Sequence, residues 1–285
     1  MVPKPPLTVN WDGFEKFVHR VYPNKKTAWG RLKYAKDFHD CLLSYNYDRL
    51  LEVSDDKRCH VLRALSCLAK FLGVYEEFRK SIKNYGLKWR GKSADDIIIG
   101  RLIKVNKPDE VFDWVKEVKR RNSDLCTFMD LLATTGLRFG EAVESYNLIA
   151  QLAMEGRLSE YFDERRGVLE HFKFKNHFLK CSKKAFISFV SKELVQAVTE
   201  ETCLNYAFIQ TRVKRRIRRL RFSDVREAFA TFMTKYLTQP EIDFLQGRVS
   251  TSVFMRNYFN PALISDLKER ALKGAEEILN SIAIG

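Results

Sequence analysis

The sequence predicts a mainly α-helical protein of two domains that carries one small β-hairpin. Apolar residues recur at helical spacing along most of the chain, whereas residues 168–190 are rich in β-forming side chains. A length of 285 residues, at about 150 residues per domain, favours two domains. Residues 86–93 combine glycine with basic residues and form a candidate linker, so the predicted domains are 1–95 and 96–285.

The first domain is predicted to consist of four helices in series after a loose, proline-rich arm at residues 1–9. Pro23 ends the first helix, because proline disrupts a helix interior, and Ser54 is the expected N-cap of the third. The residues expected to face the core are Phe14, Phe17, Val18 and Val21, then Trp29, Leu32, Ala35, Phe38, Leu42 and Leu43, then Val61, Leu62, Leu65, Leu68, Ala69 and Leu72, and finally Tyr75, Phe78, Ile82 and Tyr85.

The second domain opens with three predicted helices. Pro108 stands at the start of the first, where proline is well tolerated. A second, apolar helix covers residues 125–133 and ends at Gly136, and a third begins near Phe139.

The β-forming residues at 168–190 follow these helices and predict the hairpin. The polar run 180–184 interrupts them, so the turn is expected near 181–184. The remainder of the domain is predicted to be helical, at about 191–199, 203–219, 222–238, 241–247 and 261–282.

Charge indicates the kind of partner. The formal net charge is +14, from 50 basic and 36 acidic residues. Residues 1–95 hold 19 basic and 11 acidic residues, and residues 96–285 hold 31 and 25, so both domains are positive. This distribution favours a polyanion held from two sides, either nucleic acid or an anionic membrane surface.

Composition also excludes several classes of protein. No apolar run approaches the roughly 18 residues that a membrane span needs, and the N-terminus has no apolar signal core. The six cysteines stand singly, without a C-x-x-C pair, so neither a disulfide framework nor a zinc site is indicated. We therefore expect a cytoplasmic protein with reduced thiols and no membrane association.

The densest basic cluster has seven basic residues within residues 212–221. Val213, Ile217 and Leu220 fall at i, i+4 and i+7, which predicts a helix with a thin apolar stripe and a solvated basic side. Such a face suits nucleic-acid phosphates, and a plain charged surface helix or a localisation signal is the alternative. The basic residues are Arg212, Lys214, Arg215, Arg216, Arg218, Arg219 and Arg221.

Two further segments each carry an arginine within two residues after a glycine. Gly136 separates two apolar helices, and Arg138 and Glu141 follow one turn apart, so they can form an ion pair. A second Gly-Arg pair ends at Arg248, ten residues before Tyr258. Alone, the first segment is an ordinary helix corner and Tyr258 is a packing residue.

A helix from about residue 222 carries the remaining signal. Ser223 or Asp224 is expected to cap it, which places Arg226 in the first turn beside unpaired backbone N–H groups. Cationic side chain and N–H groups would together attract an anion.

Taken in order, these segments resemble the tyrosine recombinase (phage integrase) family, particularly the integrases of archaeal viruses and plasmids. The family's T-G-L-R-x-x-E box matches residues 135–141, and its L-R-H-x-F-A-T box matches residues 225–231. A G-H/R motif precedes the family's tyrosine by about ten residues, as residues 247–248 precede Tyr258. The matches cover about 106–262, and the N-terminal half resembles the family's helical core-binding domain in pattern only.

The resemblance implies a role for each matched residue. Tyr258 would be the nucleophile, and three arginines, Arg138, Arg226 and Arg248, would hold the scissile phosphate. Ser223 stands where bacterial members carry histidine and would contact the phosphate. The family's general acid is a lysine in the hairpin turn, for which this chain offers Lys183, with Lys184 next and Lys180 a weaker choice. Glu141 is expected to orient Arg138 or the fold.

This residue set suits phosphodiester chemistry without a metal ion, cofactor or ATP. Guanidinium groups make paired, charge-assisted hydrogen bonds to phosphate oxygens, and a covalent phosphotyrosine keeps the energy of the broken bond. The expected protein is a site-specific DNA recombinase that cleaves and rejoins duplex DNA through a 3′-phosphotyrosine. The alternatives are a topoisomerase with the same chemistry and a non-catalytic DNA-binding accessory protein.

The expected partners are duplex DNA with a specific attachment site and further copies of the chain, as a tetramer on DNA. The terminal helix bears on this assembly, since it would dock onto a neighbour or pack within its own domain. Whether Tyr258 acts within its own subunit or in another stays open. The helix's apolar residues are Leu263, Leu267, Leu272 and Ile278.

Overall fold

Helices dominate both halves of the chain in the computed structural model, which describes residues 8–89, 93–103, 108–180, 183–217, 220–248 and 253–284. The chain divides into two compact units, Met1–Val105 and Asn106–Gly285. The sequence predicted this boundary ten residues earlier, between residues 95 and 96, which falls inside a helix at Ala94–Ile103 that belongs to the first unit. The fold is mainly α with a small antiparallel sheet, as predicted.

The described residues of the first unit form helices that pack around a buried aromatic and aliphatic core. The helices are α1 (Trp11–Val21), α2 (Lys25–Ser44), α3 (Asp48–Leu51), α4 (Asp55–Phe71), α5 (Tyr75–Asn84) and α6 (Ala94–Ile103). Asparagine side chains cap the first two, since Asn10 accepts from the Gly13 N–H at 3.0 Å and Asn24 from the Thr27 N–H at 3.1 Å. Helix α2 packs along α4, and Phe14, Leu42, Leu62, Leu65 and Phe78 are fully buried there.

Two residues of the first unit contradict the expected inward face. Trp29 is 62% exposed and Val21 is 46% exposed, although both fit the helical spacing. Helix α2 instead buries Ala28, Leu32 and Ala35, which lie at i, i+4 and i+7. Trp29 therefore points away from the core.

The second unit is built around a buried helix. Its helices are α7 (Pro108–Arg121), α8 (Cys126–Thr135), α9 (Phe139–Met154), α10 (Lys175–Phe178), α11 (Lys192–Thr199), α12 (Tyr206–Arg216), α13 (Phe222–Met233), α14 (Gln239–Leu245), α15 (Val253–Asn257) and α16 (Leu267–Ser281). Helix α8 contacts α7, α9, α11, α13 and α16, so its apolar residues are buried on all sides.

A hairpin forms around the predicted turn, but it is shorter than predicted, because the region folds into two small sheets. Strands β1 (Phe162–Asp163), β2 (Val168–Leu169) and β5 (Ser188–Phe189) form an antiparallel sheet in that order. Strands β3 (Leu179–Lys180) and β4 (Lys183–Lys184) form a separate hairpin. A short helical turn at His171–Lys173 and helix α10 take up the β-forming residues between them.

The terminal helix packs within its own unit. Helix α16 contacts α7, α8, α13 and β5, and Leu267, Ala271 and Ile278 are buried against them. Leu263 precedes the helix, in the short turn Pro261–Leu263, and is 81% exposed. Across the described ranges, no helix has the length and apolar character needed to cross a membrane.

Candidate active site

Helix α8 ends at a corner that only glycine fits. Gly136 adopts a positive φ of 59°, and a Cβ there would lie 2.2 Å from Cδ1 of Phe229. This close approach brings α13 against the corner, where the Gly136 carbonyl oxygen accepts a hydrogen bond from Arg226 Nη1 at 2.7 Å.

Arg138 lies immediately before α9 and is held by Glu141. Oε1 of Glu141 accepts a hydrogen bond from Arg138 Nη1 at 2.7 Å, and Oε2 accepts one from the Arg138 backbone N–H at 3.0 Å. The Arg138 side chain remains 29% exposed, against 10% for Glu141. Glu141 thus orients Arg138 while the guanidinium keeps access to solvent.

Arg226 is buried on α13 and uses both terminal nitrogens to bind backbone carbonyls. Nη1 donates to Gly136 O, and Nη2 donates to Gln246 O at 2.6 Å. The residue is only 8% exposed. Its guanidinium is therefore fixed between two segments that the sequence motifs had singled out separately.

Arg226 lies near the other two arginines, because it is bonded to Gly136, two residues before Arg138, and to Gln246, two residues before Arg248. Burial lowers the pKa of Arg226 to about 10, and the cations of Arg138 and Arg248 act in the same direction, while Glu141 opposes them. Arg226 still carries its charge at neutral pH. Three cations with two carboxylates, Glu141 beside Arg138 and Asp243 beside Arg248, leave a net positive site that an anion would stabilise.

Arg248 follows a second corner that requires glycine. Gly247 has a φ of 65°, and a Cβ there would lie 1.2 Å from the carbonyl oxygen of Lys184. The β3–β4 hairpin therefore packs directly on the residue before Arg248. The Arg248 side chain is 43% exposed and lies 3.6 Å from Oδ1 of Asp243.

The candidate lysines lie on this hairpin. Lys183 pairs with Lys180 across the strands, and Lys184 pairs with Leu179. Lys183 is thus the first residue of β4 and not part of the turn, since residues 181–182 connect the strands. Those two residues, and the side chains of Lys180 and Lys183, lie outside the described part of the structure.

The start of α13 differs from the expected cap. Arg221 is the N-cap, and Asp224 Oδ2 accepts a hydrogen bond from its backbone N–H at 2.9 Å. An acidic residue at the third helical position can reach back to the backbone of the N-cap residue, and Asp224 does so here. Arg226 is consequently the fifth helical residue and not in the first turn. Ser223 is exposed in the first turn, at the edge of an apolar cavity of about 740 Å³.

Tyr258 follows the short helix α15, and its backbone N–H donates to Phe254 O at 2.9 Å. The residue is 75% exposed. In the described ranges, no hydrogen bond or cation–π contact joins it to the three arginines. The arginines are thus brought together by the fold, and Tyr258 is accessible but not joined to them.

The basic cluster at 212–221 is not one helix. Helix α12 ends at Arg216, Ile217 is extended, and Arg221 caps α13. Arg212 pairs with Asp124, and Arg221 Nη2 lies 3.3 Å from Asp224 Oδ1, so both have acidic partners. The apolar residues Val213 and Ile217 are buried as predicted. Residues 218–219 and the side chains of Lys214, Arg215 and Arg216 lie outside the described part.

Sequence reasoning missed Gln246, which contacts Arg226 and precedes the Gly247 corner. The available signal was a polar residue between apolar Leu245 and a glycine, at the end of an amphipathic helix. No group of three or more metal-ligating side chains is assembled in the part of the chain that the structure describes.

Comparison with known proteins identifies the family of the chain. No curated protein and no solved structure matches the chain. The family model described as archaeal phage integrase matches residues 103–271, which contain all three arginines, the hairpin and Tyr258. This match supports an integrase or recombinase role and implies DNA binding. Because it covers more than half of the 285 residues, the chain belongs to the archaeal phage integrase family.

Proposed function

We propose that the chain is a site-specific recombinase that cleaves and rejoins duplex DNA through a 3′-phosphotyrosine at Tyr258. The convergence of Arg138, Arg226 and Arg248 is the observation that carries this proposal. Their mutual repulsion is compensated only in part by the carboxylates of Glu141 and Asp243, so a phosphate between them would relieve it.

The arginines would stabilise the transition state of phosphoryl transfer. A pentacoordinate phosphorane carries more negative charge than the phosphodiester, and fixed N–H donors are stronger ligands for it than mobile water. Removal of a single well-placed donor costs about 3–4 kcal/mol in comparable sites, or a factor of about 10²–10³ in rate. Three guanidinium groups would therefore suffice without a metal ion.

Tyr258 and Lys183 complete the proposed reaction. The Tyr258 hydroxyl gives up its proton to solvent as its oxygen attacks the phosphorus, the bond to the 5′ oxygen breaks, and Lys183 supplies a proton to that oxygen. A 5′-hydroxyl of another strand then attacks the phosphotyrosine and releases the tyrosine, so no bond energy is lost. Ser223 would add a hydroxyl donor to the phosphate.

The partners follow from this chemistry and from the charge. Strand exchange joins two duplexes, so we propose that the protein assembles on an attachment site, with four copies in the complete complex. The positive charge of both units would supply contacts to the DNA backbone, which carry affinity but not sequence readout.

A nicked suicide substrate that contains the attachment site tests the proposal. The parent protein should form a covalent DNA adduct that survives denaturation, and Tyr258→Phe should form none. Tyr206→Phe, which alters another exposed tyrosine of the same unit, should leave the adduct intact. Tight DNA binding without an adduct would instead indicate an accessory protein, and relaxed supercoils without recombined products a topoisomerase.

A sulfur-substituted substrate tests the lysine. Lys183→Ala should block cleavage of ordinary DNA, because the departing 5′ oxygen lacks its proton. A 5′-thio leaving group needs no proton and should restore cleavage. An absence of rescue, or a defect seen only in Lys184→Ala, would contradict the assignment of Lys183.

A further inference from the structure

Gln246 is a buried polar residue that stability alone does not explain. The residue is 0% exposed, and its Oε1 atom has no hydrogen-bond partner among the described residues. A buried acceptor without a partner costs stability relative to an apolar side chain of similar volume. A methionine would therefore suit this position better if packing were the only requirement.

The other atoms of Gln246 form a reciprocal pair with Arg226. The Gln246 side-chain Nε2 donates to the Arg226 carbonyl oxygen at 3.0 Å, and Arg226 Nη2 donates to the Gln246 carbonyl oxygen at 2.6 Å. One residue thus contacts Arg226 at both its backbone and its guanidinium.

The hydrogen bond from Gln246 Nε2 to the Arg226 carbonyl oxygen is not needed to give that carbonyl a partner. The Arg226 carbonyl lies within α13, where the N–H four residues later already donates to it. Loss of the Gln246 amide would therefore leave no orphaned acceptor on α13. This contact therefore serves to hold Gln246 in place against α13, and not to satisfy a backbone acceptor.

The Arg226 guanidinium must be held in one orientation in order to bind a ligand. Arg226 has five N–H groups, two of which bind the carbonyls of Gly136 and Gln246, so three remain for a ligand. Arg138 and Arg248 repel it, and without both anchors the side chain would rotate away from them.

We propose that Gln246 is a positioning residue that holds Arg226 in its phosphate-binding orientation and fixes its register against Arg248, two residues farther on. The proposal rests on the proposed function for its catalytic consequence, but the restraint on Arg226 is a property of the free protein. Gln246→Met should therefore leave the melting temperature unchanged or raised, since it also removes the orphaned Oε1.

Arginine side-chain NMR of the full chain tests the restraint directly. The parent should show separate Nη signals for Arg226, assigned by their loss in Arg226→Lys, because rotation of the guanidinium is slow. Gln246→Met keeps the backbone carbonyl that binds Nη2 but removes the Nε2 bond that ties residue 246 to α13, so the carbonyl is held less firmly and the rotation should accelerate about fivefold. Gln239→Met is the matched control, since Gln239 begins α14, the helix that Gln246 follows, and binds Asp243 instead.

A double-mutant cycle on the suicide substrate tests the catalytic consequence. Gln246→Met should lower the cleavage rate about tenfold in the parent and change it less than twofold in the Arg226→Lys background. Equal losses in both backgrounds would mean a general structural role and would overturn the proposal. Averaged Arg226 signals in the parent, or unchanged rotation in Gln246→Met, would also overturn it. A parent without any adduct would refute the proposed function, while the NMR result would still decide the role of Gln246.

Discussion

Single residues fix the geometry of the arginine site through close backbone approach. Gly136 and Gly247 both have positive φ, and both are met by atoms that leave no room for a side chain. At Gly136 the neighbour is the ring of Phe229, which is itself buried in the core. At Gly247 it is the backbone of Lys184, which cannot move without the β3–β4 hairpin.

We therefore expect Gly247→Ala to disable cleavage more than it destabilises the fold. The positive φ alone costs about 1–2 kcal/mol for a non-glycine residue, and the Cβ would additionally displace the hairpin that carries the candidate lysines. Urea unfolding and suicide-substrate cleavage measure the two effects.

Gly156→Ala is the matched control, because Gly156 has a φ of 70° and open space around it. It should show the conformational cost with normal cleavage. Equal cleavage in both variants would mean that the contact between Gly247 and the hairpin does not position the site.

The sequence predicted the arginines but not their hydrogen-bond partners. Local motifs identify Arg138, Arg226 and Arg248 because each stands in a short segment of recognisable pattern. The partners of Arg226 are carbonyls 90 and 20 residues away, and carbonyl groups leave no trace in the sequence. The N-cap at Arg221 was missed for a related reason, since Asp224 reaches back to it and does not itself begin the helix.

Among the elements, the region between α9 and α11 departs most from prediction. Its strands are two residues long, which is too short for an alternation of apolar and polar residues to be recognised in the sequence. Phenylalanines that favour strands lie in helical turns instead, because tertiary contacts outweigh a weak β-propensity. Long-range ion pairs were equally invisible, as with Arg270 of α16, whose bonds to Glu241 of α14 lower the pKa of that carboxyl to about 2.

A buried hydrogen-bond chain holds this irregular region together. Nδ1 of His171 lies 2.7 Å from the Tyr161 hydroxyl, and Nε2 lies 2.8 Å from Ser188 Oγ. The Tyr161 hydroxyl in turn donates to Ser145 Oγ on α9 at 2.9 Å. Burial lowers the pKa of His171 to about 3, so the imidazole is neutral in the folded protein.

The buried, neutral His171 of these hydrogen bonds should make a contribution to stability that depends on pH. The folded pKa of His171 lies below its unfolded value of about 6.5, so the contribution is complete above that pH and is lost as pH falls toward 3. His171→Gln does not titrate. The difference in unfolding free energy between parent and variant should therefore narrow below pH 6.5, by up to about 1.4 kcal/mol per pH unit.

Urea unfolding at pH 7, 6, 5 and 4 measures that difference. His177→Gln serves as the control, because His177 is exposed and bonds to Glu144 at 2.8 Å. A constant difference for His171→Gln would show that the imidazole is not kept neutral by burial.

For the whole molecule, the net charge of +14 indicated a polyanionic partner, and the family match narrows it to DNA. The distribution of that charge could not be read from the sequence. Arg212 and Arg221, both assigned to DNA contact, have acidic partners in the fold, one of them 88 residues away. Conversely, an exposed tryptophan among lysines on α2 was expected to face the core.

We expect that surface of α2 to be a DNA contact of the first unit. Lys33 Nζ lies 5.1 Å from the centre of the Trp29 ring, and Lys36 Nζ lies 5.9 Å from that of Trp11. Lys26, Trp29, Lys33 and Lys36 share one face of the helix, and the three exposed lysines outnumber the exposed Asp37 and Asp40 beside them. The Trp29 ring also prepositions Lys33 for a phosphate.

We therefore expect Lys33→Gln in the full-length protein to weaken binding to all duplex sequences by a similar factor. The slope of log K against log salt should become shallower by about one, the value for a single lost phosphate contact. Lys70→Gln is the matched control, because Lys70 stacks on Tyr75 at 4.9 Å but lies beside the acidic start of α5, at Glu76 and Glu77. Its slope should equal that of the parent, since the carboxylates repel DNA. An unchanged slope in Lys33→Gln, or an equal change in both variants, would exclude α2 as a specific contact surface and leave only diffuse charge attraction.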